Sequence, residues 1–108
     1  MPGRPLSARQ IQLVADRFKA LAEPSRLRIL QSLRTHERSV SELTAETGFG
    51  QANLSKHLQV LHAAGFVTRR KEGVSAYYGL ADPDVFALCD LVCGRIEREL
   101  AEQRRAMR

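Results

Sequence analysis

Apolar residues recur at helical spacing through the first two thirds of the chain and predict four helices there. In the first helix, from Ser7 to Ala22, these positions are Ile11, Val14, Ala15, Phe18, Leu21 and Ala22. Pro24 suits the first turn of a second helix, which ends near the polar run at residues 35–38. Its buried side is formed by Leu27, Ile29, Leu30 and Leu33.

The third and fourth predicted helices are short and separated by glycines. Ser39 and Glu42 have the spacing of a capping box, although Ser41 is an alternative cap, and the third helix stops at Gly48. The fourth runs from about Gln51 to Ala64, with Gly65 as its C-terminal glycine. One stripe of this helix is apolar and predicts its buried side; it consists of Leu54, Leu58 and Leu61.

The pattern changes to a β-hairpin and then returns to a helix. Residues 66–71 and 75–80 are rich in β-forming residues and are joined by Glu72-Gly73-Val74, which is hairpin spacing. Asp82-Pro83 opens a last helix that extends to about Arg105. Its stripe is Val85, Cys89, Val92 and Ile96, with Phe86, Leu88 and Cys93 beside it. An apolar stripe on a terminal helix requires a partner.

Composition adds a bias toward polyanions. The chain has 108 residues, enough for one small domain, with a formal charge of +5 and a pI of about 9.9. No apolar run approaches the length of a membrane span, and the N-terminus lacks the apolar segment of a secretory signal. We therefore expect a cytoplasmic protein with no membrane partner and with reduced thiols. Residues 1–6 are expected to form a loose tail.

The fourth helix and the hairpin have the side chains needed to read double-stranded DNA. The fourth helix has polar residues opposite its leucines or on the flanks, namely Gln51, Asn53, Ser55, Lys56 and Gln59. Side chains of these types pair with base edges or with phosphates. His57 has two interpretations, a contact to backbone phosphate or a partly buried structural histidine. On the hairpin, Arg69, Arg70 and Lys71 predict contacts to phosphate or the minor groove.

The segment Leu21-Ala-Glu-Pro-Ser-Arg-Leu-Arg-Ile-Leu30 resembles the second-helix signature of the ArsR/SmtB family of bacterial repressors. Further matches lie in the recognition helix and the wing: Gln51, Ser55, His57, Leu58, Leu61, Ala64, Gly65, Val67, Arg70, Gly73 and Tyr78. Gly50 departs from the family pattern, which often has a capping Ser there.

The resemblance implies a mainly α fold with a small β-hairpin, a winged helix-turn-helix of about five helices and a two-stranded wing. It also implies a homodimer that binds a palindromic operator and releases it when an inducer binds. The single domain would then be divided into residues 7–23 and 82–106 for dimerisation, 39–65 for the helix-turn-helix and 66–81 for the wing. DNA binding itself would require no cofactor.

The family's usual sensor residues are missing. Its arsenical site has a Cys-x-Cys pair in the third helix, where this chain has none, and its zinc-type site uses histidine on the last helix, where this chain also has none. What remains is Cys89 and Cys93, four residues apart and so on one helical face. Two such thiols suit arsenite or another thiophilic metal(loid).

Two other interpretations of the cysteines stay open. They are also suited to sense oxidants or persulfides, in which case no metal is bound. Alternatively they are inert apolar side chains of an interface, and the protein binds DNA constitutively. An enzyme is not expected, because the chain has no Cys-x-x-Cys motif and no evident base near either thiol.

Overall fold

The computed structural model describes residues 3–107, which form helices around a small antiparallel sheet. The elements are α1 (Ala8–Leu21), α2 (Pro24–Ser32), β1 (Arg38–Ser39), α3 (Val40–Thr47), α4 (Gln51–Ala63), β2 (Val67–Glu72), β3 (Ser75–Leu80) and α5 (Val85–Ala106). The five helices and the hairpin confirm the predicted fold class, a winged helix-turn-helix, with β2 and β3 as the wing.

Local caps fix the two ends of α3 and so the angle at which α4 follows it. Ser39 Oγ accepts from the Glu42 backbone N–H at 3.1 Å, and Glu42 Oε1 accepts from the Ser39 N–H at 2.9 Å. This capping box selects Ser39 over Ser41 as the cap. Gly48 ends α3 with a φ of 76°, a left-handed conformation that favours glycine. Gly50 then caps α4 without a side-chain acceptor.

The core lies between α2, α3, α4 and the base of the wing. The predicted stripe of α4 is its centre, since Leu54, Leu58 and Leu61 are all fully buried. The other large side chains with almost no exposure are Ile29, Leu30, Leu33 and Leu43. Burial of the whole stripe fixes the rotation of α4 about its axis and therefore determines which of its residues face outward.

A third strand lies at the inner edge of the wing. β1 pairs antiparallel with β3, with Arg38 opposite Tyr78 and Ser39 opposite Tyr77, so that the strand order is β1-β3-β2. The sequence predicts no strand here: Arg38 falls in the polar run that ends the predicted second helix, and Ser39 is predicted only as a helix cap. α2 ends earlier, at Ser32. The short strand ties the start of α3 directly to the wing.

α5 belongs to the core only at its first turn. Val85 and Phe86 are buried with the core cluster, a correction to their prediction as part of an unpartnered stripe. Farther along, the apolar side chains are substantially exposed; they include Leu88, Leu91, Val92, Ile96 and Leu100.

The Cα radius of gyration is 16.9 Å, compared with about 13 Å for a compact chain of this length. Over residues 3–107, no helix is long and apolar enough to cross a membrane.

Candidate nucleic-acid interface and thiol groove

The outward side of α4 has the polar residues predicted for it. Gln51, Asn53, Lys56 and Gln59 are exposed, and Ser55 is half-buried. They lie opposite or flank the buried leucines, on a helix slim enough to enter a major groove. The first-turn N–H groups of α4 lack a side-chain cap, because Gly50 has no acceptor to offer, and a helix N-terminus of this kind suits a phosphate.

A cleft of about 550 Å³ separates α3 and the start of α4 from the tip of the wing. Its polar lining consists of the Gln51 amide and of hydroxyl groups, both of which can donate to phosphate oxygens; the hydroxyls belong to Ser39, Ser41, Thr44, Ser75 and Tyr77. None of the described residues that line it is acidic. The cleft therefore offers hydrogen-bond donors and no described carboxylate to a ligand that lies between α3 and the wing.

The wing divides its three predicted cations between two faces. In the β2–β3 register, Arg69 lies opposite Tyr78, Arg70 opposite Tyr77 and Lys71 opposite Ala76. Since side chains alternate along a strand, Arg69 and Lys71 share one face and Arg70 lies on the other. The strands join through Gly73, whose φ is 61°, as expected for the first central residue of a II′ turn.

Arg70 is already engaged with carboxylates of its own chain. Its Nη2 lies 3.1 Å from Glu37 Oε1 and its Nη1 lies 2.6 Å from Glu72 Oε2. Its guanidinium also stands 4.8 Å from the ring centre of Tyr77. The hydrogen bonds that Arg70 donates to Glu37 and then to Glu72 raise the pKa of Arg70 above its ordinary value. Arg69 instead donates from Nε to the neutral Tyr78 hydroxyl at 3.1 Å, which leaves its charge uncompensated by this contact.

His57 turns away from the outward face of α4. Its side chain is 12% exposed, and its Nδ1 lies 3.4 Å from Arg26 Nη1 and 3.8 Å from Glu23 Oε2. These contacts favour the structural interpretation of His57 over a phosphate contact. The same arginine donates from Nε to the Ala20 carbonyl at 2.6 Å and from Nη2 to the Lys19 carbonyl at 3.3 Å.

The two cysteines line an apolar groove, which we call the thiol groove. It has a volume of about 590 Å³ and lies between the end of α1, the start of α2 and the exposed side of α5. Its lining consists of Phe18, Leu21, Ala22, Leu27, Leu88, Cys89, Val92, Cys93, Ile96 and Glu97. Cys89 is half-buried and Cys93 is exposed. The groove therefore brings both thiols together on one surface, as their spacing predicts.

Glu97 is a neighbour of the thiol pair that the sequence prediction missed. The Cys93 thiol donates to Glu97 Oε1 at an S–O distance of 3.6 Å. This hydrogen bond, followed by the charge of Glu97, raises the pKa of Cys93. The four-residue spacing was a signal for this contact. Within residues 3–107, no three His, Cys, Asp or Glu side chains gather closely enough to hold a metal ion.

Comparison with known proteins gives concordant results. Residues 23–69 match the family model described as "Bacterial regulatory protein, arsR family". The uncharacterized HTH-type transcriptional regulator Rv0081 of Mycobacterium tuberculosis is 39% identical over 93 residues, which are 85% of this chain and 82% of that protein. The crystal structure of Rv0081 superposes with a TM-score of 0.78 at 38% identity, covering 90% and 98% of the two chains.

Two further relatives add information. The solution structure of the homodimeric winged helix-turn-helix DNA-binding domain of Mb0332 from Mycobacterium bovis has a TM-score of 0.76 and 36% identity, with 94% and 95% coverage. A probable mercury resistance operon repressor of Streptomyces lividans is 38% identical over 68 residues, or 63% of this chain and 54% of that protein.

Proposed function

The chain belongs to the ArsR family of bacterial winged helix-turn-helix transcriptional regulators, and from this premise we propose that it is a dimeric, inducer-responsive repressor of a palindromic operator. The observation that carries the proposal is the orientation of α4. Its apolar stripe is fully buried, so its amide and Lys side chains are presented outward beside a hydroxyl-lined cleft. A helix fixed in this way is suited to read bases while the wing holds the backbone.

The dimer is proposed to form through α1 and α5. α1 exposes Ile11, Val14 and Phe18, and α5 exposes Val92 and Ile96, although all five side chains are apolar. Exposed apolar side chains that gather on two helices often mark an interaction surface. The related Mb0332 domain is described as homodimeric. Binding to two successive major grooves requires the two copies of α4 to lie about 34 Å apart, and we propose that a twofold axis at this surface provides that spacing.

Selection of binding sites from a random duplex pool tests the role of α4. Gln51→Ala and Asn53→Ala should change the preferred bases within the selected half-site, because these side chains are placed to contact base edges. Gln31→Ala, at an exposed position of α2 outside both the reading helix and the proposed dimer surface, is the matched control and should select the same sequence as the wild type. Unchanged preference in both α4 variants would refute the assignment of α4 as the reading helix.

The inducer site is proposed to be the Cys89–Cys93 pair, with a thiophilic metal(loid) such as arsenite as ligand. Two thiols on one apolar wall support this, since soft ions prefer sulfur ligands. Trivalent arsenic hydroxide condenses with each thiol, so that one As–S bond forms and one water leaves for each cysteine. The related mercury-resistance repressor is named for a soft metal as well. A third ligand would have to come from water or from the partner protomer.

Sensing of oxidants or persulfides by the same cysteines is the second candidate. The observation that weighs against it is the hydrogen bond from Cys93 to Glu97, because a raised pKa leaves less thiolate for attack on an oxidant. The half-buried Cys89 would then have to react first.

Operator release separates these candidates from inert cysteines. Arsenite, antimonite, cadmium, lead, zinc, hydrogen peroxide and a persulfide donor are added in turn to the protein–operator complex, and intact-mass spectrometry records what each cysteine carries. Cys89→Ser and Cys93→Ser should bind the operator normally but no longer release it. Full release from both variants would show that the cysteines are not the sensor.

A further inference from the structure

We propose that Arg26 is a positioning residue that joins the α1 end of the thiol groove to the recognition helix α4. The proposal rests on the proposed function, because it concerns how the sensor surface communicates with the DNA-reading surface. It is carried by the contacts of one half-buried guanidinium, which bonds to α1 on one side and reaches α4 on the other.

On the α1 side, Arg26 satisfies the end of the helix. The last carbonyls of a helix have no partner within it and carry partial negative charge. Arg26 donates to two of them, those of Ala20 at 2.6 Å and Lys19 at 3.3 Å. The residues that follow directly, Leu21 and Ala22, line the thiol groove. The guanidinium is therefore attached to the same turn of chain that forms one wall of the groove.

On the α4 side, the guanidinium meets His57 in the middle of the recognition helix. Arg26 Nη1 lies 3.4 Å from His57 Nδ1, which accepts when the imidazole is neutral with its proton on the other nitrogen. Glu23 completes the arrangement, because its Oε2 accepts from the Arg26 backbone N–H at 3.0 Å and lies 3.8 Å from His57 Nδ1. His57 is adjacent in sequence to Lys56, one of the outward-facing residues.

The geometry of arginine makes this link direct. Its guanidinium is planar and its donors are fixed relative to each other, so a movement of the α1 end is passed to whatever the other donors hold. Helix shifts of about 1–2 Å are a common size for regulatory transitions. If a ligand in the thiol groove displaces Leu21 and Ala22, Arg26 would move with them, and so would the contact between Arg26 and His57 of α4.

A double-mutant cycle on operator affinity tests the link. Arg26→Gln and His57→Gln should each weaken binding to the selected operator by about 5- to 30-fold, and the double variant should bind no more weakly than the weaker single variant. Arg28→Gln removes the same charge from the same helix and is the control, with affinity close to wild type on the operator. Arg26→Lys keeps the charge but loses the planar fork, and should behave like Arg26→Gln.

Several results would overturn the proposal. These are additive losses in the cycle, wild-type affinity in Arg26→Lys, or an equal loss in Arg28→Gln. Melting curves accompany each measurement, and Arg26→Lys is used in the cycle if Arg26→Gln is unfolded at the assay temperature. Affinity for a duplex of unrelated sequence should fall equally in Arg26→Gln and Arg28→Gln, since sequence-independent binding depends on the positive charge of the protein and both variants lose one charge.

Alkylation with N-ethylmaleimide tests transmission without knowledge of the inducer. Modification of Cys89 and Cys93 should weaken operator binding in the wild type, and the same modification should have less effect in Arg26→Gln. Equal effects in both proteins would refute transmission through Arg26. A wild type that is unaffected by alkylation would refute the thiol sensor and with it any transmission from the groove. Additive losses in the cycle would refute only the link between Arg26 and α4, so the two failures are distinguishable.

Discussion

Neutralising Arg69 of the wing should have a much larger effect on the salt dependence of DNA binding than neutralising its neighbour Arg70. Arg69 makes its side-chain hydrogen bond to an uncharged tyrosine, whereas Arg70 is paired with Glu37 and Glu72. A cation already offset by carboxylates has less charge to give to a phosphate. We therefore expect Arg69→Gln to remove phosphate contacts and Arg70→Gln to remove few.

The size of the effect follows from counterion release. If Lys56, Arg69 and Lys71 each meet one phosphate in both protomers, about six phosphates are neutralised and the slope of log K against log salt is about −5.4. Affinity would then fall about 1,800-fold between 50 and 200 mM salt. Arg69→Gln leaves about four contacts, a slope of about −3.6 and a fall of about 150-fold. For Arg70→Gln the slope should change by less than about 1.

Fluorescence anisotropy of a labelled operator, titrated at several potassium chloride concentrations, measures these slopes. Arg98→Gln, on α5, carries the same change in net charge and is the control for the long-range field. Equal slopes for Arg69→Gln and Arg70→Gln would show that the carboxylates do not restrain Arg70. A slope for Arg69→Gln equal to that of Arg98→Gln would show that this face of the wing does not contact phosphate.

Three further outcomes are expected. Glu97→Gln should lower the pKa of Cys93 toward its ordinary value, so that at neutral pH more thiolate is present and iodoacetamide labels Cys93 faster, as peptide mass spectrometry would show; an unchanged rate would refute the hydrogen bond. Leu58→Ala, at a fully buried position, should lower the free energy of unfolding by about 2–5 kcal/mol in urea titrations. Ser39→Ala should cost about 1 kcal/mol at neutral pH. Hydrogen bonds from the Ser39 backbone N–H and then from its side chain lower the pKa of Glu42, and Ser39→Ala removes only the second of them. That deficit should therefore shrink in part as the pH falls below 4.5, because protonation of Glu42 removes the stability that its ionised form supplies.

The sequence was sufficient for the five helices and the hairpin because their signals are local. Helical spacing of leucines, a capping box at Ser39 and glycines at the ends of α3 and α4 each act within a few residues of chain. β1 has no such signal, since Arg38 and Ser39 are polar and form a strand only because β3 passes beside them. The same reason accounts for Val85 and Phe86, whose periodicity is that of the exposed stripe although tertiary packing places them in the core.

The candidate site was predicted in its residue types but not in its pairings. Arg70 meets Glu37, which is 33 positions away, and no pattern along the chain indicates that contact. His57 likewise faces Arg26, 31 positions away, so the choice between its two interpretations needed the fold. Glu97 was accessible in principle from its spacing to Cys93. Pairings across long separations depend on how helices pack, and periodicity does not record that.

If the exposed apolar side of α5 is covered by a second protomer, as proposed, the amount of protein in the cell becomes part of the regulatory mechanism. A protomer that covers this surface only by pairing with another is in equilibrium with its dimer, and the dimer fraction depends on total concentration. Well below the dissociation constant of the dimer, halving the protomer concentration lowers the dimer concentration about fourfold by mass action. Small changes in synthesis or degradation would then produce steep changes in promoter occupancy, even when the inducer concentration stays constant.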